Sequence, residues 1–305
     1  MKKILILFIF VITMSAKDIA SNEVYASSIL IQNHVDNLLT FYNIKPVDKS
    51  LLEHYKIVFT KIKPRNTWQK TYEILVKINM LRASHNLPKI EPVAIEAIAN
   101  LNPDMVYEMN QRILTEIKIF EIRKDIEVPN FKEEKFVNKL VMDNYNVYVA
   151  ISASLDALNK QELTPNYVYA QTMRIYDDIT IIFDYLDITD ETVPDSLIKD
   201  ATPTDTLHLC MKILALLGSM QKDLAIEATD FLEFDKKDVR PSDIFTLTGL
   251  IISELQPIKA KLGLSDSITP AALAYTNKKP ENVGQLMGWN LKRLILLNNL
   301  KKGVK

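Results

Sequence analysis

Apolar residues recur along this chain at the spacing of one helix face, and the recurrence restarts at regular intervals. Positions 3, 7, 10, 14 and 17 after a starting residue lie on one side of an α-helix, and in six segments these positions are mainly apolar. Each segment opens with proline, which favours the first helical turn because its missing N–H would have no partner there. The pattern predicts six long helices, beginning at Pro64, Pro103, Pro165, Pro203, Pro241 and Pro280.

The six segments repeat with a nearly constant period. Consecutive starting prolines are 38 or 39 residues apart, except for the 62 residues that separate Pro103 from Pro165. A fixed period of this size is typical of repeat proteins. We therefore expect an all-α helical repeat array, solenoid or bundle-like, in which each repeat combines one proline-initiated helix with a connector. Five of the six helices carry isoleucine ten residues after the proline: Ile74, Ile113, Ile175, Ile213 and Ile251.

The connectors are long enough to influence how neighbouring helices run. A helix of about 20 residues is about 30 Å long, and a connector of about 15 residues, at up to about 3.3 Å per residue, can return along it. Successive long helices can therefore run parallel, with the connectors as a second, partly extended layer. A solenoid of alternating long and short helices fits the sequence equally well. In both forms we expect helices that follow one another in the chain to pack together.

Residues 1–26 have the pattern of a signal peptide. Two lysines precede an apolar run from Ile4 to Met14, and small residues follow it. This run is too short to cross a bilayer as a helix but suits the core of a signal peptide. We expect cleavage after Ala26, with Ala16 as the alternative site. The expected product is a periplasmic or secreted protein without an integral membrane span.

The 62-residue gap divides the rest of the chain into two halves. We expect an N-terminal half over residues 27–160 and a C-terminal half of four contiguous repeats over residues 161–305. Because the gap exceeds one period, the N-terminal half is expected to contain an insertion, which forms one long amphipathic helix between Pro129 and Lys160.

The segment before Pro64 follows the repeat less closely than the later segments do. It reads as one helix over residues 28–43 and a second over residues 50–62, with a proline at Pro46 between them. Terminal repeats of an array are usually atypical. We therefore interpret this segment as a degenerate first repeat.

The composition favours helices and argues against some partners. The chain has only six glycines in 305 residues, and glycine serves tight turns and hairpins. The formal net charge of −1 argues against bulk attraction to nucleic acid or anionic lipid. Cys210 is the only cysteine, so no intrachain disulfide can form. Its position in the repeat indicates a small residue packed between helices.

The sequence contains no clear motif for catalysis or for binding a metal or cofactor. Four aspartates form the densest acidic cluster, but they depart from the DDxxD metal motif of terpene synthases, and we interpret them as a solvated acidic face. The four histidines lack the i, i+4 spacing that places two imidazoles on one helix face for zinc. We therefore expect no cofactor and no enzymatic activity. The acidic cluster consists of Asp177, Asp178, Asp184 and Asp187.

Aromatic residues recur four residues after the proline, and this is the strongest candidate for a binding site. Regular spacing in an array could align the rings along one edge that docks a partner, although packing between helix N-termini would explain them as well. We expect an exported, non-catalytic scaffold that binds a protein partner in the cell envelope. The alternative is a small-molecule-binding or sensory protein with an apolar pocket between helices. The candidate binding residues are Trp68, Tyr107, Tyr169 and Phe245.

Overall fold

A computed structural model describes residues 20–48, 52, 59–90, 101–231 and 238–303. Within these ranges the chain forms eight α-helices, most of them 21 residues long, and the predicted all-α repeat architecture is confirmed. One pair of short antiparallel strands, β1 (Phe59–Lys61) and β2 (Asp230–Phe231), joins two of the connectors. The helices are α1 (Ser21–Phe41), α2 (Pro64–Ser84), α3 (Pro103–Arg123), α4 (Val141–Asn159), α5 (Pro165–Tyr185), α6 (Pro203–Asp223), α7 (Pro241–Lys261) and α8 (Pro280–Gly303).

The helices form two four-helix bundles with the same arrangement. In the first bundle, α1 and α2 each pack against both α3 and α4; in the second, α5 and α6 each pack against both α7 and α8. The first residues of all four helices in a bundle converge on one small cavity, so the four helices run parallel. These residues are Ser21, Pro64, Pro103 and Val141 in the first bundle and Pro165, Pro203, Pro241 and Pro280 in the second.

The expectation that consecutive helices pack together is wrong for most pairs. Extensive packing between consecutive helices is found for α2 with α3 and for α6 with α7, whereas α1 lies diagonally from α2 and α5 from α6. A connector that returns the whole length of a helix can deliver the next helix to an adjacent or a diagonal position. Chain order therefore does not fix which helices become neighbours.

Six of the helices end in the same way. The second residue beyond the helix adopts a positive φ, as in Asn43, Asn86 and Asp125. The next residue donates its N–H back into the last turn, for example from Ile126 to the Glu121 carbonyl at 2.9 Å. This is the Schellman motif, in which an apolar residue normally follows the left-handed position. The apolar residues here are Ile44, Leu87, Ile126, Ile188, Ile226 and Leu264.

The expected insertion between Pro129 and Lys160 is wrong in extent and in kind. Residues 129–140 are not helical, and α4 begins at Val141. Val141 stands 38 residues after Pro103, so α4 is a full repeat that lacks the initial proline. The gap therefore holds two repeats, and it is shorter than two full periods because only residues 160–164 connect α4 to α5.

The N-terminal segment also differs from its expected form. Helix α1 begins at Ser21, seven residues before the predicted start of the first helix at Ser28. Of the second helix, predicted over residues 50–62, most lies outside the described residues, and the described part includes strand β1. The predicted boundary between the halves, at residues 160–161, lies within the connection between the two bundles.

The two bundles pack against each other through α2 and α7. Arg65, near the start of α2, bonds to Glu254 in the second half of α7 at 2.8 Å, whereas Lys70 bonds to Thr246 near the start of α7 at 3.2 Å. The contacts therefore place α2 and α7 antiparallel, and the two parallel bundles point in opposite directions. No helix among the described residues is long and apolar enough to span a membrane.

Candidate functional site

A cleft of about 470 Å³ lies between the two bundles, where α2 of the first faces α5 of the second. The connector that follows α7 forms one of its walls. Most of the lining is apolar or aromatic, and the described residues of the chain supply it from both bundles. Its main apolar lining residues are Tyr72, Val76, Tyr167, Ala170, Phe245 and Leu273.

The Tyr72 hydroxyl is the polar group that stands out in this cleft. Tyr72 is only 4% exposed, yet its side chain lines the cleft. Its hydroxyl has no hydrogen-bond partner in the part of the chain that the structure describes. The hydroxyl oxygen is not fully enclosed by protein, so it opens to the cleft. Burial raises the pKa of Tyr72, partly offset by the nearby Arg174 charge. The phenol therefore stays protonated at neutral pH and is available as a donor.

Arg174 lies behind the Tyr72 ring and is almost completely buried. Its guanidinium carbon is 4.6 Å from the centre of that ring, within the range of a cation–π contact. Arg174 Nε donates to the Pro270 carbonyl at 2.7 Å, and Nη1 donates to Gln171 Oε1 at 3.2 Å. These bonds hold a positive charge at the base of the cleft wall.

A buried ionic cluster joins the bundles beside the cleft. Glu73 of α2 accepts bonds from Lys70 at 2.8 Å, from Ser152 at 2.6 Å and from Thr246 of the other bundle at 2.7 Å. Burial raises the pKa of Glu73, but the charges of Lys70 and Lys77 outweigh burial and bring it to about 2. Glu73 is therefore ionised at neutral pH and serves as the acceptor that ties three helices together.

Lys77 extends the same cluster to α4. Its Nζ bonds to Asp156 Oδ2 at 2.6 Å, whereas Asp156 Oδ1 is buried without a hydrogen-bond partner. Burial raises the pKa of Asp156 to about 6 despite the Lys77 charge. Of the two carboxyl groups in the cluster, Asp156 is thus the one that titrates near neutral pH.

A second buried carboxylate joins α7 to α2 and α6. Glu254 accepts bonds from Arg65 and Asn66 of the first bundle and from Gln221 of the second, each at 2.8 Å for its shortest contact. Burial raises the pKa of Glu254, but the bonds from these partners lower it by more, so the pKa lies below its ordinary value. This carboxylate is also fully engaged as a structural acceptor.

The acidic cluster on α5 does not form the uniformly solvated face that we expected. Asp184 and Asp187 are exposed, but Asp178 is completely buried and bonds to Lys259 of α7 at 2.6 Å. Asp178 also accepts a bond from Thr269 at 2.7 Å. The described residues contain no group of three or more His, Cys, Asp or Glu side chains that could hold a metal ion.

Cys210 is buried in the core of the second bundle. Burial raises the pKa of its thiol, and a protonated, enclosed thiol is a poor nucleophile. Its placement agrees with the packing interpretation of this residue.

The four aromatic residues at the fourth repeat position do not share an exposed edge. Trp68 and Phe245 are 4% and 3% exposed, and they lie on the two helices that pack the bundles together. Tyr107 and Tyr169 are half-buried on separate bundles, whose helices run in opposite directions. Of the four, only Phe245 lines the cleft.

Apart from Phe245, the residues that form the cleft were not predicted from the sequence. Tyr72 stands eight residues after Pro64, and Arg174 stands nine after Pro165, whereas the four candidate aromatic residues each stand four residues after their proline. In α2, Lys70, Glu73 and Lys77 stand at positions 6, 9 and 13 after the proline, off the apolar face, so the repeat pattern does not predict their burial. Comparisons with protein-family models, with curated proteins and with solved structures find no match to this chain.

Proposed function

We propose that this chain is an exported, non-catalytic binding protein that holds a small, mainly apolar ligand in the cleft between its two bundles. The observation that carries the proposal is the cleft itself, with a volume of about 470 Å³ and a lining of apolar and aromatic side chains. Ligand sites in proteins are typically concave, mainly apolar and about 300–1,000 Å³ in volume, with a few polar groups that orient the ligand.

The pairing of the buried charges supports binding rather than catalysis. Glu73, Glu254 and Asp178 are each engaged by a buried or nearly buried cation. A general acid or base must reach the proton that it transfers, and these groups are enclosed between helices. What the cleft offers a ligand is shape, apolar area and a few polar groups, among them the Tyr72 hydroxyl.

Narrowing the cleft tests the proposal. Ala274 lines the cleft on the connector after α7 and is exposed, so Ala274→Trp fills space without overpacking the core. The probe is N-phenyl-1-naphthylamine, a neutral apolar dye that fluoresces when it leaves water. We expect the purified protein to bind the dye, and Ala274→Trp to weaken binding at least about tenfold.

Ala83→Trp is the matched control, because Ala83 is also exposed but does not line the cleft. This variant should bind the dye as the parent protein does. Equal binding by the parent and both variants, or no binding by any of them, would refute the cleft as the ligand site.

A protein partner in the cell envelope is the second candidate, and a different surface favours it. The connector between α5 and α6 exposes three apolar side chains, Val193, Leu197 and Ile198, each at least half exposed. Exposed apolar patches often mark protein interfaces. If this patch binds a partner, Ile198→Asp should abolish stoichiometric capture of an envelope protein while Ala274→Trp leaves it intact. Capture that survives Ile198→Asp would exclude this surface.

A further inference from the structure

We infer that the cleft between the bundles takes an apolar carboxylic acid, and that the Tyr72 hydroxyl donates a hydrogen bond to its carboxylate. This inference rests on the proposed function and names the ligand class for the same site. Its starting point is a hydroxyl that has no hydrogen-bond partner among the described residues, although its residue is almost completely buried. Because this hydroxyl opens to the cleft, it can donate to an acceptor on a bound ligand.

The surroundings of Tyr72 favour an anionic acceptor. The Arg174 guanidinium packs on the Tyr72 ring at 4.6 Å and places a positive charge behind the donor. Hydrogen bonds that involve an ionised partner are roughly twice as strong as neutral ones. A carboxylate would therefore gain more from this site than an alcohol or an amide of the same size.

The charge of the residues that line the cleft also favours an anionic ligand. Among the described residues that line the cleft, Lys89 is the one charged side chain, and none is acidic. Lys89 lies at the exposed rim, where it can attract an anion without being buried itself. A cationic ligand would be opposed by the like charges of Lys89 at the entrance and of Arg174 behind the Tyr72 ring.

The other residues that line the cleft favour a ligand whose main part is apolar. Leu75, Val76, Ala170 and Phe245 surround the space beyond Tyr72, and each methylene group transferred from water to such a surface strengthens binding. The acid group is thus held at Tyr72 while the apolar chain lies against α2, α5 and α7.

A pair of probes with the same chain tests the ligand class. Dodecanoate and dodecan-1-amine differ in head-group charge and are compared by displacement of N-phenyl-1-naphthylamine from the full chain. We expect dodecanoate to displace the dye at a concentration at least tenfold lower than the amine does. Equal potency of the two probes would overturn the inference.

Tyr72→Phe tests the residue, because it removes only the hydroxyl. We expect it to weaken dodecanoate binding about five- to tenfold, to change amine binding less than twofold, and to leave the unfolding midpoint unchanged or slightly raised. Tyr185→Phe is the matched control, since Tyr185 does not line the cleft and is 54% exposed, and it should change dodecanoate binding less than twofold.

The outcomes separate this inference from the proposed function. If the dye binds and Ala274→Trp blocks it, but Tyr72→Phe and Tyr185→Phe have equal effects on dodecanoate, the carboxylate assignment fails and the cleft stands as the site. If the dye does not bind, or Ala274→Trp does not affect it, both proposals fail.

Discussion

In four pairs of neighbouring helices, polar side chains meet at the same two repeat positions, near the middle and the end of the helix. Counting from the first helical residue, position 13 of one helix bonds to position 18 of a parallel neighbour. His34 bonds to Glu121 at 2.9 Å, and the equivalent residues of the second bundle are Asp178 and Lys259, at 2.6 Å. Both bundles have a polar contact between these two positions, but different residues form it. Parallel packing therefore fixes where a polar pair fits, but it does not fix which residues make the pair. The other pairs of this kind are Glu116 with Arg82 and Glu254 with Gln221.

Asp156 provides a pH-dependence prediction at this scale. Its pKa is about 6 in the folded chain against an ordinary value of 3.8. The folded state therefore binds this proton more readily than the unfolded state, and the associated stability is present below about pH 4 and lost as pH rises through 6. At roughly 1.4 kcal/mol per pKa unit, the change is on the order of 3 kcal/mol.

Asp156→Asn should remove this dependence. We expect the difference in unfolding free energy, parent minus variant, to fall as pH rises from 4.5 to 6.5 in urea titrations. This window avoids Glu73, whose pKa of about 2 gives the opposite sign and acts only as pH falls below about 4.5. A difference that stays constant across the window would show that Asp156 has an ordinary pKa.

At the level of the helix, the sequence predicted six of the eight long helices and missed the boundaries of the two without proline. The apolar signal was present in both. Val141 is followed by Tyr145, Ile151 and Leu155 at positions 4, 10 and 14, which matches the other repeats. Helices α1 and α4 lack the proline that marks the start of the other six, and its absence hides their register.

The cleft and the ionic clusters could not have been predicted in the same way. They depend on which helices become neighbours, and the connectors allow both adjacent and diagonal positions. The period in the sequence indicates which face each helix buries, but it does not indicate that α2 packs against α7. The pairing of Glu73 with Thr246, 173 residues apart, is a consequence of that choice.

Helix α4 can be tested as a genuine repeat. Ile151 is completely buried, as is Ile251 at the same position of α7. Truncation of a buried isoleucine to alanine typically costs about 2–5 kcal/mol, and we expect Ile151→Ala and Ile251→Ala to fall in this range in chemical denaturation. Ile198→Ala is the control, because Ile198 is 69% exposed and should change stability by no more than about 0.5 kcal/mol. An effect of Ile151→Ala as small as the control would remove α4 from the core.

The whole molecule is a pair of equivalent units, and matching contacts in the two bundles show the equivalence. The Lys139 N–H donates to Asn22 at 2.8 Å, and the Lys278 N–H donates to Asn166 at 2.8 Å. Each lysine ammonium also lies 4.2 Å from a tyrosine ring of its own bundle, Tyr25 or Tyr169.

The interface between the units breaks this equivalence. It is formed by α2 and α7, the second helix of one unit and the third helix of the other. The cleft and the buried Glu73 and Glu254 clusters therefore occur once, although each unit has the same internal plan. A function that resides in the cleft is a property of the pair of bundles and not of either bundle alone.

The place of α1 in the first unit leads to a prediction about export. Cleavage after Ala26 would remove the start of α1, including Val24, which is completely buried and whose carbonyl accepts a bond from Asn110 at 3.2 Å. It would also remove Asn22, the acceptor for Lys139. Cleavage after Ala16, the alternative site, leaves α1 whole. We therefore expect the intact mass of the exported chain to correspond to a start at Lys17.

The stability of two recombinant chains tests the role of residues 21–26 without the export machinery. A recombinant chain that begins at Ser27 should be less stable than one that begins at Lys17 by at least about 2 kcal/mol, because burial of a valine alone contributes about 1.5–3 kcal/mol and two hydrogen bonds are lost as well. A mature chain that begins at Ser27 and unfolds at the same urea concentration as the longer chain would contradict the role of residues 21–26 in the first bundle. A chain recovered with Met1 intact from a soluble cytoplasmic fraction would contradict export itself.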